Sequence, residues 1–221
     1  MALILNIDTS IDSTYICIAK DKNMLADYFC DDQKSNATNL HIAINDLLEY
    51  LNISPKNLDA VAVTIGPGSY TGLRIGLATA KGLCYALKIP LITIGTLEMM
   101  AHFVIENECI ENTLFCPMID ARRMEVFTAI YDKNLQEILK PQAVILDSQS
   151  FAQLLSENNF LFFGNGSKKW KNINISNNAN FLEAIFFHKS LNSISLNKYI
   201  QKEFADLGYT EPLYVKEFYN P

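Results

Sequence analysis

The chain has 221 residues, 49% of them hydrophobic, and a formal net charge of −6, ample material for one large domain or two small lobes. The acidic balance argues against independent binding to nucleic acid, which needs a dense cationic footprint. The five cysteines, Cys17, Cys30, Cys84, Cys109 and Cys116, are odd in number and form no C-x-x-C pair, which disfavours a disulfide framework and a zinc site; with no basic leader and no apolar run near the ~20 residues of a membrane span, the expected location is the cytoplasm, away from membranes.

Residues 3–8 are an apolar strand ending in Asp-Thr-Ser, and 14–19 alternate polar and apolar residues, so a hairpin turning near Asp12 and Ser13 is expected. Residues 24–30 supply a third strand. After a polar break, Leu40, Ile44, Leu47, Leu48 and Leu51 trace the apolar face of an amphipathic helix that Ser35 or Asn36 is placed to cap. Residues 60–65 are a β-branched apolar run closed by Gly66-Pro67-Gly68, which favours a buried strand. Ser69 or Thr71 can then cap a helix running to about Leu87.

That helix asks for cover on two faces. Leu73, Leu77, Ala80, Cys84 and Leu87 make one apolar stripe, and Gly72, Gly76 and Ala80 step along a neighbouring ridge with almost no side chain. Interior glycines cost about 0.5–1 kcal/mol each relative to alanine, so a compensating close approach by another helix is expected. Arg74, Lys81 and Lys88 line one narrow side. A strand at 90–94 gives this half a β-β-β-α-β-α-β order, for which a mixed sheet with packed helices is the simplest arrangement.

A helix at 96–106 follows, and the polar segment 106–112 marks the boundary between two expected lobes, 1–105 and 106–221. Strands at 114–119 and 126–131 flank Asp120-Ala121-Arg122-Arg123, a tight hairpin with charge at its tip. Residues 143–146 read as a short strand, Ser148 as the cap of a helix through Glu157, and 160–163 as a strand closing on Gly164-Asn165-Gly166. The asparagine-rich stretch 172–180 reads as loop, a helix lies within 190–205, and 212–215 is strand-like. Whether this C-terminal segment packs back on the first lobe stays open.

The string GPGSYTGLRIG at 66–76 is too specific for a generic glycine-rich loop. Together with ILNIDTS at 4–10, IPLITIGTLEMMA at 89–101, IDARRMEVF at 119–127 and EPLYVKE near the C-terminus, it resembles the bacterial TsaB family of tRNA threonylcarbamoyladenosine biosynthesis proteins over nearly the whole chain. Asp8, Ser10, Gly66, Gly68, Ser69, Arg74, Asp120, Arg122 and Glu125 stand at its motif positions. The resemblance implies an α/β protein with a two-lobed actin-like, ribonuclease H-like fold, each lobe a mixed β-sheet with packed helices. It also implies a subunit without chemistry of its own, which pairs with a catalytic TsaD-type subunit, alongside a TsaE-type ATPase, to transfer a threonylcarbamoyl group to adenosine in tRNA. The tRNA is then met only through the complex. The alternative within the same fold is a small-molecule phosphotransferase.

Catalytic relatives of the TsaD type carry two metal-binding histidines four apart, and the matching positions here are Thr96 and Met100, with His102 lacking a second imidazole one turn away. No metal site is expected there, and His41 and His188 fare no better. Asp8-Thr9-Ser10 keeps the acid and hydroxyls of a phosphotransferase loop, but Ile11 follows where a glycine is needed. The loop 66–72 can cradle an anion at a helix start, yet it lacks the lysine of a P-loop, so no bound cofactor is expected. Proteolysis fails for want of H-E-x-x-H or G-x-S-x-G. Asp120, Arg122, Arg123 and Glu125 read as a solvated hairpin with internal ion pairs, in preference to a contact with a partner or RNA. Many relatives begin the second helix with His-Ser, whereas Asn36-Ala37 stands here. The helices 36–51 and 71–87 are expected to form the association surface through Leu40, Ile44, Leu47, Leu51, Gly72, Leu73, Gly76, Leu77, Ala80 and Cys84, homodimeric when alone and heterodimeric with the catalytic partner.

Overall fold

The computed structural model describes residues 1–11, 13–31, 36–108, 110–174, 176–183 and 187–216. Asp12, Ser35 and Cys109, which carry expectations above, lie outside the described residues. The chain divides into two units, Met1–Thr96 with His188–Leu213, and Leu97–Phe187 with Tyr214–Pro221.

In the first unit β1 (Leu3–Asp8) is buried at every position, as a near-continuous apolar run covered on both faces should be. β2 (Thr14–Lys20) pairs antiparallel with it, and β3 (Asn23–Cys30) adds antiparallel at the edge, where exposed and half-buried residues alternate. α1 (Asn36–Tyr50) sets Leu40, Ala43, Ile44, Leu47 and Leu48 in the core and leads to β4 (Ala60–Gly66), parallel to β1. α2 (Tyr70–Leu87) leads in turn to β5 (Leu91–Gly95), parallel to β4, so the sheet runs β3-β2-β1-β4-β5. The expected strands and helices of this half are all present.

α3 (Thr96–Asn107) enters the second unit, which repeats the plan with unrelated sequence. β6 (Thr113–Asp120), β7 (Glu125–Tyr131) and β8 (Glu137–Ile145) form an antiparallel meander. After α4 (Ala152–Glu157), β9 (Asn159–Phe163) lies parallel to β6; after α5 (Ser167–Lys171), β10 (Ala179–Leu182) lies parallel to β9. The order β8-β7-β6-β9-β10 is that of the first sheet. Its core holds Met118, Val126, Phe160, Phe162 and Trp170, whose ring meets Phe151 and Phe162 edge-on at 5.8 and 6.1 Å. α6 (Leu191–Gln201) belongs to the first unit, where it packs on β1 and β5. Among the described residues no helix is long and apolar enough to cross a membrane.

Three local expectations are corrected. α4 starts after Phe151 rather than at Ser148, because Asp147 accepts the N–H of Gln149 at 2.9 Å and the Ser150 hydroxyl at 3.0 Å, closing a turn of its own. The end of the stretch 172–180, read as loop, instead belongs to a strand: 179–182 add along the edge of β9. Residues 212–215 form no strand; Leu213 N–H donates to Ile65 O at 2.7 Å.

Candidate functional site

Ser69 settles the choice of cap: extended at φ −60° and ψ 115°, it accepts from Gly72 N–H at 3.3 Å. What lies over the glycine-rich loop is the chain itself. Ser69 N–H donates to Ser10 O at 2.7 Å, and Thr9 Oγ1 donates to Gly72 O at 2.8 Å. A Cβ on Gly68 would sit 1.9 Å from Ser10 O, one on Gly72 2.1 Å from Thr9 O, and one on Gly76 2.3 Å from Thr9 Oγ1. These glycines let the residues after β1 lie against the start of α2. Thr9 and Ser10 therefore lie where the loop approaches most closely, and Gly72 and Gly76 of the small-residue ridge meet that segment rather than a second helix. Gly66 has another reason: at φ 115° an L side chain is strained, and its Cβ would lie 2.8 Å from Leu213 O.

Asp8 is 4% exposed, and its Oδ1 accepts from Ser10 N–H (3.0 Å), Ser10 Oγ (2.6 Å) and Thr64 Oγ1 (2.7 Å). The carboxylate thus ties β1 to its parallel neighbour β4. His188 packs tilted against the Tyr15 ring and stacked on the Phe29 ring, with centroids 4.1 and 5.3 Å away. Burial lowers its pKa, against the opposing pull of the Asp8 and Asp27 carboxylates. Burial likewise pushes the Cys17 and Cys116 thiols up to about 12 and that of Cys84 up to about 11, so all three are protonated and unreactive near neutral pH.

Thr96 and Met100 are both buried on α3. The Met100 methyl packs where a Cβ of Gly164 would come within 2.5 Å of it, and Gly164 itself holds φ 92°. A hydroxyl and a packed thioether make a poor pair of metal ligands. His102 Nδ1 lies 3.2 Å from Glu106 Oε2, one turn along the helix. Among the described residues no group of three or more His, Cys, Asp and Glu is placed to hold a metal.

The hairpin β6–β7 carries its expected charge, but its ion pairs run to lysines the sequence pattern did not single out. Lys169 Nζ is 2.6 Å from Asp120 Oδ1, and Lys216 Nζ is 2.5 Å from Glu125 Oε2. Partial burial works against ionisation of Asp120, yet the Lys169 ammonium and the Arg122 N–H, 2.6 Å away, outweigh it and hold the carboxyl below its usual range. Arg122 and Arg123 are exposed and carry no such pair among the described residues.

Leu40, Ile44, Leu47, Leu73, Gly76, Leu77, Ala80 and Cys84 are buried within the first unit, Leu51 packs partly buried on the same core, and Gly72 is half-buried beside Thr9. The outward face of α2 is a different stripe. Thr71, Arg74, Ala78, Gly82 and Tyr85 are exposed at helical spacing, Arg74 lies 4.1 Å over the Tyr70 ring, and nothing stands within 4 Å of the Cβ position at Gly82. α1, which packs against α2, exposes Ile42 and Tyr50.

Residues 32–216 match the family described as TsaD: tRNA N6-adenosine threonylcarbamoyltransferase. The tRNA threonylcarbamoyladenosine biosynthesis protein TsaB of Bacillus subtilis is 33% identical over 177 residues, 76% of this chain and 73% of that protein. The TsaB protein of Escherichia coli is 28% identical over 180 residues, 77% of this chain and 74% of that one. Among solved structures, YeaZ from Pseudomonas aeruginosa superposes with a TM-score of 0.80 at 21% identity, covering 97% of this chain and 100% of that chain. That likeness is one of fold, and it agrees with the actin-like plan of two mixed sheets.

Proposed function

The chain belongs to the TsaD family and, within it, to the TsaB proteins of tRNA threonylcarbamoyladenosine biosynthesis, and from that membership we propose that it is a non-catalytic subunit which acts by pairing with a TsaD-type transferase. The observation that carries this reading is the filled glycine loop. Phosphate binding at a helix start needs backbone N–H groups turned towards the ligand. Here those of Ser69 and Gly72 are taken by Ser10 O and Ser69 Oγ. At the positions of the paired histidines, Thr96 and Met100 add no imidazole.

The pairing surface is the outward side of α1 and α2. Ala78 and Gly82 let a partner helix approach closely, while Ile42, Tyr50 and Tyr85 add apolar area around them. Two helices packed on two counterparts can bury roughly 800 Å² on each side, the scale of a specific interface. Alone, the chain uses this face for a homodimer; with the transferase, for a heterodimer in the cytoplasm, where a TsaE-type ATPase and tRNA join the complex. The test is recovery of the tagged full chain from cells, with its partners identified by mass spectrometry. Capture of a TsaD-type protein with a paired-histidine motif is the expected outcome. A chain that purifies alone and phosphorylates a sugar or an acid overturns the reading.

A further inference from the structure

Arg122 and Arg123 sit side by side in the left-handed backbone region, at φ 71° and 48°. Such a conformation costs about 1–2 kcal/mol for an L residue, and turns that demand it usually take Gly, Asn or Asp. Two consecutive arginines are thus the wrong choice for the turn, and neither side chain has an ion pair or hydrogen bond among the described residues. α5 lies next to this tip. Asp120 N–H donates to Asn165 Oδ1 at 2.8 Å and Gly166 N–H to Met118 O at 3.0 Å, which fixes the β9–α5 connection against the hairpin. On α5, Trp170 points into the core, Lys169 reaches across to Asp120 and to Glu125 O at 3.1 Å, and Lys168 and Lys171 stand exposed one turn apart.

Both hairpin carboxylates are therefore neutralised by lysines, Asp120 by Lys169 and Glu125 by Lys216, and the charges of Arg122, Arg123, Lys168 and Lys171 are left facing solvent on a chain of net charge −6. We propose that this hairpin–α5 surface of the second unit contacts the phosphate backbone of the tRNA substrate. The guanidinium fork matches phosphate oxygens, and contacts of this kind position a nucleic acid without reading its sequence. With so few cations the surface acts as an accessory to the binding site of the complex. The identification of the polyanion as tRNA rests on the function proposed above.

The test titrates the full chain, alone and with the transferase, against a labelled unmodified tRNA transcript over a series of salt concentrations. Arg122→Asn with Arg123→Gly removes both charges while suiting the turn better; Lys168→Ala with Lys171→Ala removes the others. Each pair should weaken binding about tenfold at low salt and flatten the slope of log affinity against log salt by about 2, roughly one per lost phosphate contact. The Asn-Gly variant should melt at or above the parent temperature, which separates lost contact from lost fold. Unchanged affinity and slope in both variants overturn the proposal. So does displacement of the tRNA by an equal concentration of polyglutamate, which assigns the surface to an acidic protein. Dependence on these residues in the isolated chain, with no capture of the transferase, keeps the surface and defeats the pairing.

Discussion

Protonating His188 puts a cation against the rings of Tyr15 and Phe29 at a position only 8% exposed. Its folded pKa lies below the ordinary value of 6.5, so as pH falls the unfolded chain takes the proton first. The stability this site supports is full above about 6.5, declines as pH drops towards the folded value, and is gone below it. Urea midpoints measured from pH 8 downwards should fall through that window, and His188→Phe should remove this part of the decline while keeping an aromatic ring in the stack. An equally steep decline in the variant would assign it to other groups. The sequence shows His188 only as a lone histidine, since the rings that enclose it come from β2 and β3. The glycines of the signature are similarly half-readable: their number announces a close approach, but the identity of what approaches, Thr9 and Ser10, is a tertiary fact.

For a whole helix, local chemistry goes further. Ser69, Gly68 and the end of the apolar pattern near Leu87 locate α2 well because caps and periodicity are properties of adjacent residues. The face turned inward is harder to read, since both Gly72-Gly76-Ala80 and Ala78-Gly82 are small and neither is polar. The structure separates them, and two substitutions test the separation. Gly76→Arg drives a side chain against Thr9 and Val63, so cooperative melting of the isolated chain should be lost. Gly82→Arg enters open space and replaces a poor helix former, so the melting temperature should stay or rise while capture of the transferase drops. Capture that survives Gly82→Arg would move the interface off this stripe.

The two units share one strand order without a shared sequence, and that order is readable because each strand run and helix run declares itself locally. The return of His188–Leu213 to the first unit is not readable in this way. The buried side of α6 includes Ser195 beside Leu191 and Ile194, which blurs its apolar stripe, and beyond it Ala205 and Leu207 pack on the first core, while the other ties run to the segment's backbone. Ala205 N–H donates to Leu91 O at 2.8 Å, Lys81 Nζ to Thr210 O at 3.1 Å, and Leu213 N–H to Ile65 O at 2.7 Å. A chain ended after Phe187 loses all of these together with the cover that α6 gives β1 and β5. Because apolar strands stripped of a covering layer expose their surface to water, the truncated first unit should open far more readily than the parent. Amide exchange at β1 and β5 should speed up by orders of magnitude and be slowed again by a peptide of residues 188–216 supplied in trans. Unaltered exchange in the truncated chain would mean that the first unit is complete without its returning segment.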